Sequence, residues 1–106
     1  MSQLPLDWAE RVWALVALIP EGRVSSYGKL AQLLGFPRHA RHVGRALSET
    51  PPHIDIPWHR VLNGRGECSL AFQSEGWYVQ MALLRAEGIL PDDQGRVNLT
   101  KYGWQP

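Results

Sequence analysis

Apolar side chains recur at helical spacing near the start of the chain. Five positions that fall on one side of a helix carry them: Trp8, Val12, Leu15, Val16 and Ile19. This spacing predicts an amphipathic helix over residues 7–19, which Pro20 and Gly22 end. Its apolar side indicates a helix that packs against a core.

Two shorter helices are predicted next. Ser26 is a suitable N-cap for a helix that reaches about Leu34 and ends at Gly35. Pro37 suits the first turn of a third helix that ends near residues 47–48. Two short helices joined by a Gly-Phe-Pro turn form a helix-turn-helix, the arrangement that presents its second helix to DNA.

The third helix is predicted to have an apolar side and a basic side. At about 100° per residue, the two groups of side chains are Ala40, Val43 and Leu47 on one side, and Arg38, Arg41 and Arg45 on the other. Gly44 within this helix lowers the stability of the helix by roughly 1 kcal/mol relative to alanine. We therefore expect a neighbouring helix or a DNA groove to approach the backbone closely there.

The second half of the chain combines extended segments with one longer helix. Three prolines keep residues 50–57 out of a helix. A strand at 61–62, a turn at 63–66 and a return strand at 68–70 predict a small β-hairpin. Residues 75–86 predict a fourth helix, with Trp77, Met81 and Leu84 on one face and Gly88 as its stop.

The expected fold class is therefore mostly α with a small β-hairpin, built around a winged-helix-like helix-turn-helix. After a turn at residues 91–95, Tyr102 and Trp104 are expected to fold back onto the core.

The composition indicates one compact domain. The 106 residues are 44% hydrophobic, so we expect a single domain over residues 1–106. No run of 18 apolar residues is present, and the first residues lack the basic and apolar runs of a secretion signal. Cys68 is the only cysteine, which excludes an internal disulfide and indicates a reducing compartment. We expect a soluble, cytoplasmic, nucleoid-associated monomer that does not bind membranes.

Basic residues are concentrated in one segment, although the net charge is only +1. Residues 22–48 contain no Asp or Glu and carry five basic side chains and two histidines: Arg23, Lys29, Arg38, Arg41, Arg45, His39 and His42. Four of the acidic residues fall after position 70. This distribution indicates that the predicted helix-turn-helix binds an anion.

The segment Pro57-Trp58-His59-Arg60-Val61 is the most specific feature of the chain. It resembles the Pro-Cys-His-Arg-Val signature of the O6-alkylguanine-DNA alkyltransferases, with tryptophan in the cysteine position. Residues 26–31 resemble the family's first DNA-binding helix, 40–44 its recognition helix and 83–88 its closing helix. Tryptophan at this position and the tail at 101–104 resemble the alkyltransferase-like proteins, the non-enzymatic branch.

The resemblance implies a domain of the alkyltransferase C-terminal type that binds the minor groove of DNA. Arg41 matches an arginine that enters the base stack, and Tyr27 matches a tyrosine that helps turn the damaged nucleotide into a pocket. Because flipping costs a few kcal/mol of pairing and stacking, a planar guanidinium that fills the gap offsets part of that cost. The expected DNA-binding residues are Ser26, Tyr27, Arg38, Ala40, Arg41, Gly44 and Arg45.

Trp58 decides which chemistry the resemblance allows. Alkyl transfer needs a thiolate, whereas an indole offers an N–H donor and a flat surface for stacking. Without the flanking motif, core filling would be the better interpretation of this tryptophan. His59 and Glu87 match the pair that takes the cysteine proton through water in active relatives, and Arg60 matches a structural residue. The expected lesion pocket consists of Tyr27, Trp58, His59, Val61, Ser69, Leu70, Ala71 and Glu87.

One residue and one loop depart from the family pattern. Active enzymes commonly have asparagine before the proline-rich loop, where this chain has Thr50, which leaves that hinge contact undefined. Some alkyltransferase-like relatives have a basic residue in the loop after the signature, which here reads Ser69-Leu70-Ala71-Phe72. We therefore expect this loop to bind lesions by shape and apolar contact rather than by charge.

The function that the resemblance implies is recognition of O6-alkylguanine in double-stranded DNA without alkyl transfer. The bound lesion would then be marked for nucleotide excision repair proteins, and no cofactor is implied.

Three alternatives remain open at this stage. Cys68 could accept an alkyl group, but it lacks the adjacent histidine that would activate it. The helix-turn-helix could read an undamaged operator sequence through the major groove, as a transcription factor does. His39 and His42 could bind a metal, but no cysteine or carboxylate lies near them in the sequence, and phosphate contacts are the better interpretation.

Overall fold

A computed structural model of the chain describes residues 4–106. Residues 1–3, which belong to the predicted single domain and to the N-terminal stretch without a secretion signal, lie outside the described residues. The elements in chain order are α1 (Trp8–Val16), β1 (Ser25–Ser26), α2 (Tyr27–Leu33), α3 (Ala40–Ser48), a 3₁₀ turn (Trp58–Arg60), β2 (Val61–Leu62), α4 (Glu75–Ala86) and α5 (Leu99–Tyr102). None of the helices within the described range is long and apolar enough to span a membrane.

Helix α1 confirms the first prediction but ends three residues earlier than expected. The backbone N–H groups of Leu18 and Ile19 donate to carbonyls only three residues back, at 3.0 and 3.1 Å. Such bonds tighten the chain beyond the α-helical pitch and commonly finish a helix. The buried side of α1, formed by Trp8, Val12 and Val16, faces the helix-turn-helix.

The helix-turn-helix is present, with a longer turn than predicted. Helix α2 begins directly after Ser26, whose Oγ accepts a hydrogen bond from the N–H of Lys29 at 3.1 Å, as expected of an N-cap. Helix α3 begins at Ala40, so the prediction that Pro37 lies in its first turn is wrong. Phe36 packs edge-on against the Trp8 ring, with centroids 5.6 Å apart, and the chain turns through residues 37–39 before α3 starts.

The expected β-hairpin is wrong. Strand β2 forms where predicted, but it pairs in parallel with β1, with Ser25 opposite Val61 and Ser26 opposite Leu62. Residues 68–70 do not form a strand because the chain beyond the turn has other partners. The carbonyl of Gly66, at the end of the turn, accepts from the N–H of Val97 at 2.8 Å, and the Cys68 thiol bonds to Gln80 of α4.

The two strands lie between two hydrophobic clusters. Because successive strand residues face opposite sides, Val61 packs with α1, α2 and α3, whereas Leu62 packs with α4 and the segment before α5. We refer to these as the helix-turn-helix cluster and the α4 cluster. The C-terminal segment folds back as predicted, since Trp104 packs against the helix-turn-helix cluster and Tyr102 against the α4 cluster.

Gly66 packs the turn after β2 closely against the C-terminal segment, with its carbonyl 2.8 Å from the N–H of Val97. Its φ is +78°, and a Cβ at this position would lie 2.1 Å from the carbonyl oxygen of Val97. We expect Gly66→Ala to lower the free energy of unfolding by about 3 kcal/mol, because backbone strain and a steric clash add. Urea unfolding measures the change.

Gly64→Ala is the matched control for this prediction. Gly64 lies in the same turn, and a Cβ there would meet no heavy atom within 4 Å. Its effect should stay within about 0.5 kcal/mol. Equal unfolding midpoints for the two variants would contradict the assigned role of Gly66.

Candidate nucleic-acid interface and pocket

The basic side of α3 is exposed, as the sequence predicts. Arg41 and Arg45 on α3 are exposed, and so is Arg38, which lies in the turn before α3 rather than on the helix as predicted. Arg45 Nε lies 3.6 Å from Glu49 Oε1, but exposed pairs of this kind are weak. Within residues 4–106, Arg38 and Arg41 have no ion-pair partner, so their guanidinium groups are available to an external anion.

Tyr27 and Gly44 explain how α2 and α3 fit together. A Cβ on Gly44 would lie 3.6 Å from the Tyr27 ring, which is ordinary van der Waals contact. The close approach expected at Gly44 is therefore made by an aromatic ring of α2. Ser26 positions this ring by capping α2 just before it, while Ala40 is half-buried at the first position of α3.

A pocket of about 210 Å³ lies between the helix-turn-helix and the loop that precedes α4. Its lining residues are Tyr27, Gly44, Leu47, Ser48, Trp58, Val61, Ser69, Leu70 and Gln80. Five of the eight residues predicted for a lesion pocket are therefore brought together. His59 and Glu87 lie outside the lining and bond to each other, and Ala71 is exposed outside it.

Sequence reasoning missed three lining residues: Leu47, Ser48 and Gln80. Leu47 was assigned to the packing side of α3, and Gly44, expected at the DNA surface, also faces the pocket. A signal for Gln80 was present, because it is a polar residue next to Met81 on the buried side of α4, and it is only 3% exposed. A buried amide of this kind needs hydrogen-bond partners, which for Gln80 are groups around the pocket.

Trp58 lies on the pocket wall and is 40% exposed. The 3₁₀ turn that carries it begins with a hydrogen bond from its own N–H to the carbonyl of Ile56, at 2.8 Å. Its ring meets the His59 ring edge-on, with centroids 6.1 Å apart. This exposure does not fit core filling, and it leaves an indole surface facing the pocket.

The arginine surface and the pocket share residues. Arg41, His42, Gly44, Arg45 and Ser48 surround a shallow depression of about 380 Å³ on the outer side of α3. Gly44 and Ser48 line both this depression and the pocket. The two concave surfaces are therefore adjacent, with only one turn of α3 between them.

The carboxylate of Glu87 holds the segment around Trp58 from behind. It accepts hydrogen bonds from His59 Nε2 at 2.6 Å, from Arg60 Nη2 at 2.7 Å and from the N–H of Gly22 at 2.9 Å. Arg60 also donates to the carbonyl of Ile19 at 2.8 Å. The expected His59–Glu87 pair is thus present, and Arg60 has the structural contacts that the resemblance implies.

These donors determine the ionisation of Glu87. Burial alone would raise its pKa, but hydrogen bonds from Arg60, the Gly22 N–H and His59 outweigh burial and lower the pKa from 4.5 to about 2. The side chain is only 9% exposed. A carboxylate held in this way stays charged at neutral pH and acts as a fixed structural acceptor.

Gln80 fixes the floor of the pocket. Its amide N–H groups donate to the carbonyls of His59 and Val61 at 3.0 and 3.1 Å, and its Oε1 lies 2.7 Å from the Cys68 sulfur. Burial raises the pKa of the Cys68 thiol, so it stays protonated at neutral pH. This environment disfavours the alternative in which Cys68 accepts an alkyl group.

Thr50 has a local role. Its hydroxyl donates to the carbonyl of Leu47 at 2.7 Å and so completes the C-terminal end of α3.

His39 and His42 lie side by side on α3 and its N-terminal flank. Their ring centroids are 5.0 Å apart. Within residues 4–106, no group of three or more His, Cys, Asp or Glu side chains could hold a metal ion. The metal alternative therefore lacks a third ligand.

Comparison with known proteins connects this geometry to a family. The model of the 6-O-methylguanine DNA methyltransferase DNA-binding domain matches residues 7–89. The chain is 42% identical over 96 residues to a DNA base-flipping protein of Vibrio parahaemolyticus, covering 91% of this chain and 94% of that protein. It is 38% identical over 104 residues to alkyltransferase-like protein 1 of Schizosaccharomyces pombe, covering 94% and 96%.

A solved structure has the same fold. The crystal structure of the S. pombe alkyltransferase-like protein in complex with damaged DNA containing O6-carboxymethylguanine superposes with a TM-score of 0.83 at 36% identity. The match covers 98% of this chain and 100% of that one. The chain therefore belongs to the family of the 6-O-methylguanine DNA methyltransferase DNA-binding domain. Within that family it belongs to the alkyltransferase-like proteins, since it matches the S. pombe member over 96% of that protein's length.

Glu87→Gln tests the role of the carboxylate. We expect a loss of about 3 kcal/mol in the free energy of unfolding at neutral pH, because Arg60 loses its charged partner in a buried place. Since folding lowers the pKa of Glu87, its stabilisation is complete above about pH 4.5 and is lost as the pH falls towards 2. Urea unfolding at a series of pH values should show that the variant lacks most of this acid-dependent loss.

Asp93→Asn serves as the control, because Asp93 is exposed and has no ion-pair partner in the described part of the chain. It should retain the wild-type pH profile. The structural role of Glu87 would be refuted if the Glu87→Gln profile fell as steeply as that of Asp93→Asn.

Proposed function

We propose that this chain binds duplex DNA containing O6-alkylguanine, turns the damaged nucleotide into the pocket beside α3, and holds it there without transferring the alkyl group. The observation that carries this proposal is the continuity of the exposed arginine surface with the pocket through Gly44 and Ser48. A nucleotide leaving a duplex bound on that surface would have the pocket next to it.

Arg41 has the properties needed to replace the extruded base. It lies in the first turn of α3, is exposed, and borders the depression next to the pocket. A guanidinium is planar and permanently charged, so it can stack between bases while attracting phosphates. The surrounding Arg38 and Arg45 would supply backbone contacts, which position a protein on DNA without reading its sequence.

Tyr27 and Trp58 would receive the nucleotide. The Tyr27 ring lies at the pocket, on the side of α2, and the Trp58 indole lies on the wall formed by the 3₁₀ turn. Stacking of a base on an aromatic side chain contributes about 1–3 kcal/mol. No Lys, Arg or His lines the pocket, which supports lesion binding by shape and apolar contact.

The absence of alkyl transfer follows from the chemistry of two side chains. Trp58 stands where the family signature has cysteine, and an indole cannot act as the thiolate nucleophile. The one thiol of the chain, Cys68, is buried and bonded to Gln80. Neither group offers an activated nucleophile to an alkyl group in the pocket.

Binding without repair is useful if other proteins act on the marked site. We infer that the bound lesion is handed to nucleotide excision repair proteins, and that the chain acts as a monomeric single domain in the cytoplasm, associated with the nucleoid. His59 and Glu87 would support the pocket from behind in this role.

Fluorescence-anisotropy titration with matched duplexes tests the proposal. The chain should bind a duplex containing O6-methylguanine at least tenfold more tightly than the same undamaged duplex, and affinity for both should fall as salt rises. Equal affinity for the two duplexes would refute it, and preference for an undamaged sequence would favour a transcription factor. Intact mass after incubation should show no added methyl group, whereas an adduct would establish an enzyme.

Arginine substitutions test the assignment of Arg41. Arg41→Ala should weaken lesion binding at least tenfold, and Arg41→Lys should lose nearly as much, because lysine keeps the charge but cannot stack. Arg23→Ala is the matched control, since the Arg23 guanidinium is exposed and donates to the chain's own Lys101 carbonyl at 3.0 Å. Arg23→Ala should lower the affinity for the lesion duplex by about threefold or less. Full retention of affinity by Arg41→Lys would instead make Arg41 a phosphate contact.

A further inference from the structure

We propose that the hydrogen bond between Tyr27 and Ser69 is a strap across the pocket that limits the size of the O6-alkyl group admitted, which makes Ser69 a specificity-determining residue. This inference rests on the proposed function and deepens it. It concerns which lesions are bound, a property that the sequence leaves undefined.

The strap joins two separate walls of the pocket. The Tyr27 hydroxyl and Ser69 Oγ are 2.8 Å apart, although 42 residues separate them in the chain. Tyr27 begins α2, whereas Ser69 lies in the irregular segment between β2 and α4. Both residues line the pocket, so their bond crosses from the helix-turn-helix to the opposite side.

The segment that carries Ser69, residues 68–74, is otherwise attached to α4. The Cys68 thiol bonds to Gln80, the Phe72 ring packs edge-on against Trp77 at 5.0 Å, and Ser74 caps the helix. Leu70 lies directly over Gly76, where a Cβ would come within 2.8 Å of its Cδ1. Among the side-chain hydrogen bonds of the described residues, only the bond from Ser69 connects this segment to α2.

The remaining walls of the pocket cannot move as easily. Val61 is 2% exposed within the helix-turn-helix cluster, and Gly44 is part of the α3 backbone. Gln80 is buried and clamps the 3₁₀ turn from below. The exposed segment around Ser69 is therefore the wall that can move away from α2, and the strap is the side-chain hydrogen bond that joins it to α2.

Size rather than charge should then decide which lesions enter. The pocket has no cationic lining, so an alkyl group is held by apolar contact with Trp58, Leu70 and Leu47. A methyl group would fit with the strap intact, whereas a bulky uncharged group such as benzyl would have to break it. The penalty for the larger lesion should match one neutral hydrogen bond, about three- to tenfold in affinity.

The test measures affinity for two duplexes, one containing O6-methylguanine and one containing O6-benzylguanine, each relative to the undamaged duplex. The ratio of the benzyl affinity to the methyl affinity reports on the strap. Ser69→Ala should raise affinity for the benzyl duplex relative to the methyl duplex by about three- to tenfold. Tyr27→Phe removes the same bond from the other side and keeps the ring, so it should shift the ratio in the same direction. The double variant should shift it no further than either single variant.

Ser74→Ala is the matched control, because Ser74 ends the same segment, does not line the pocket, and bonds to the N–H of Trp77. The ratio of its affinities for the benzyl and methyl duplexes should remain that of the wild type. An unchanged ratio in Ser69→Ala, or additive shifts in the double variant, would overturn the strap while leaving lesion binding intact. A wild-type chain that binds neither alkylated duplex better than the undamaged one would overturn the proposed function and the strap with it.

Discussion

The carboxylate of Glu87 is the interaction on which the arrangement of the pocket depends. It lies just after α4 and accepts hydrogen bonds from His59, Arg60 and the Gly22 N–H, while Arg60 continues to the carbonyl of Ile19. These bonds join three parts of the chain: residues 19–22, which follow α1, the 3₁₀ turn, and the end of α4. A charge that is only 9% exposed is tolerated because its donors replace the lost water. The wall that carries Trp58 is thereby fixed from behind.

The strands β1 and β2 are short, yet they determine where the pocket forms. The two residues of β2 point into different clusters, Val61 into the helix-turn-helix cluster and Leu62 into the α4 cluster, and β2 pairs with β1 directly before α2. The pocket lies beside this strand pair. Tyr27 immediately follows β1, and Trp58 lies three residues before β2, so the parallel register also sets the distance between the two aromatic walls.

Local patterns in the sequence predict the helices well, because an N-cap such as Ser26 and the periodicity of α1 and α4 act over a few residues. They fail where the partner is distant. The turn at 63–66 is compatible with a hairpin, but the competing bond from Val97 to Gly66 comes from the end of the chain. Gln80 and Ser48 reach the pocket for the same reason, since only the tertiary fold brings their helices to one cavity. The frame beneath the pocket could be predicted only through the family resemblance at Trp58 and at residues 83–88, because His59 and Glu87 are 28 residues apart and no local pattern joins them.

The His59–Glu87 pair can be accounted for without a catalytic role. Burial opposes the charge of Glu87, but hydrogen bonds from Arg60, the Gly22 N–H and His59 lower its pKa to about 2, so the carboxylate stays ionised as a structural acceptor. The carboxylate is committed to Arg60 and to the Gly22 backbone, and removing it would leave a buried cation unpaired. Because folding requires the hydrogen bonds of Glu87, they are kept whether residue 58 is a nucleophile or a stacking surface. With an indole at position 58, the same frame supports a flat, half-exposed aromatic wall in place of a thiol.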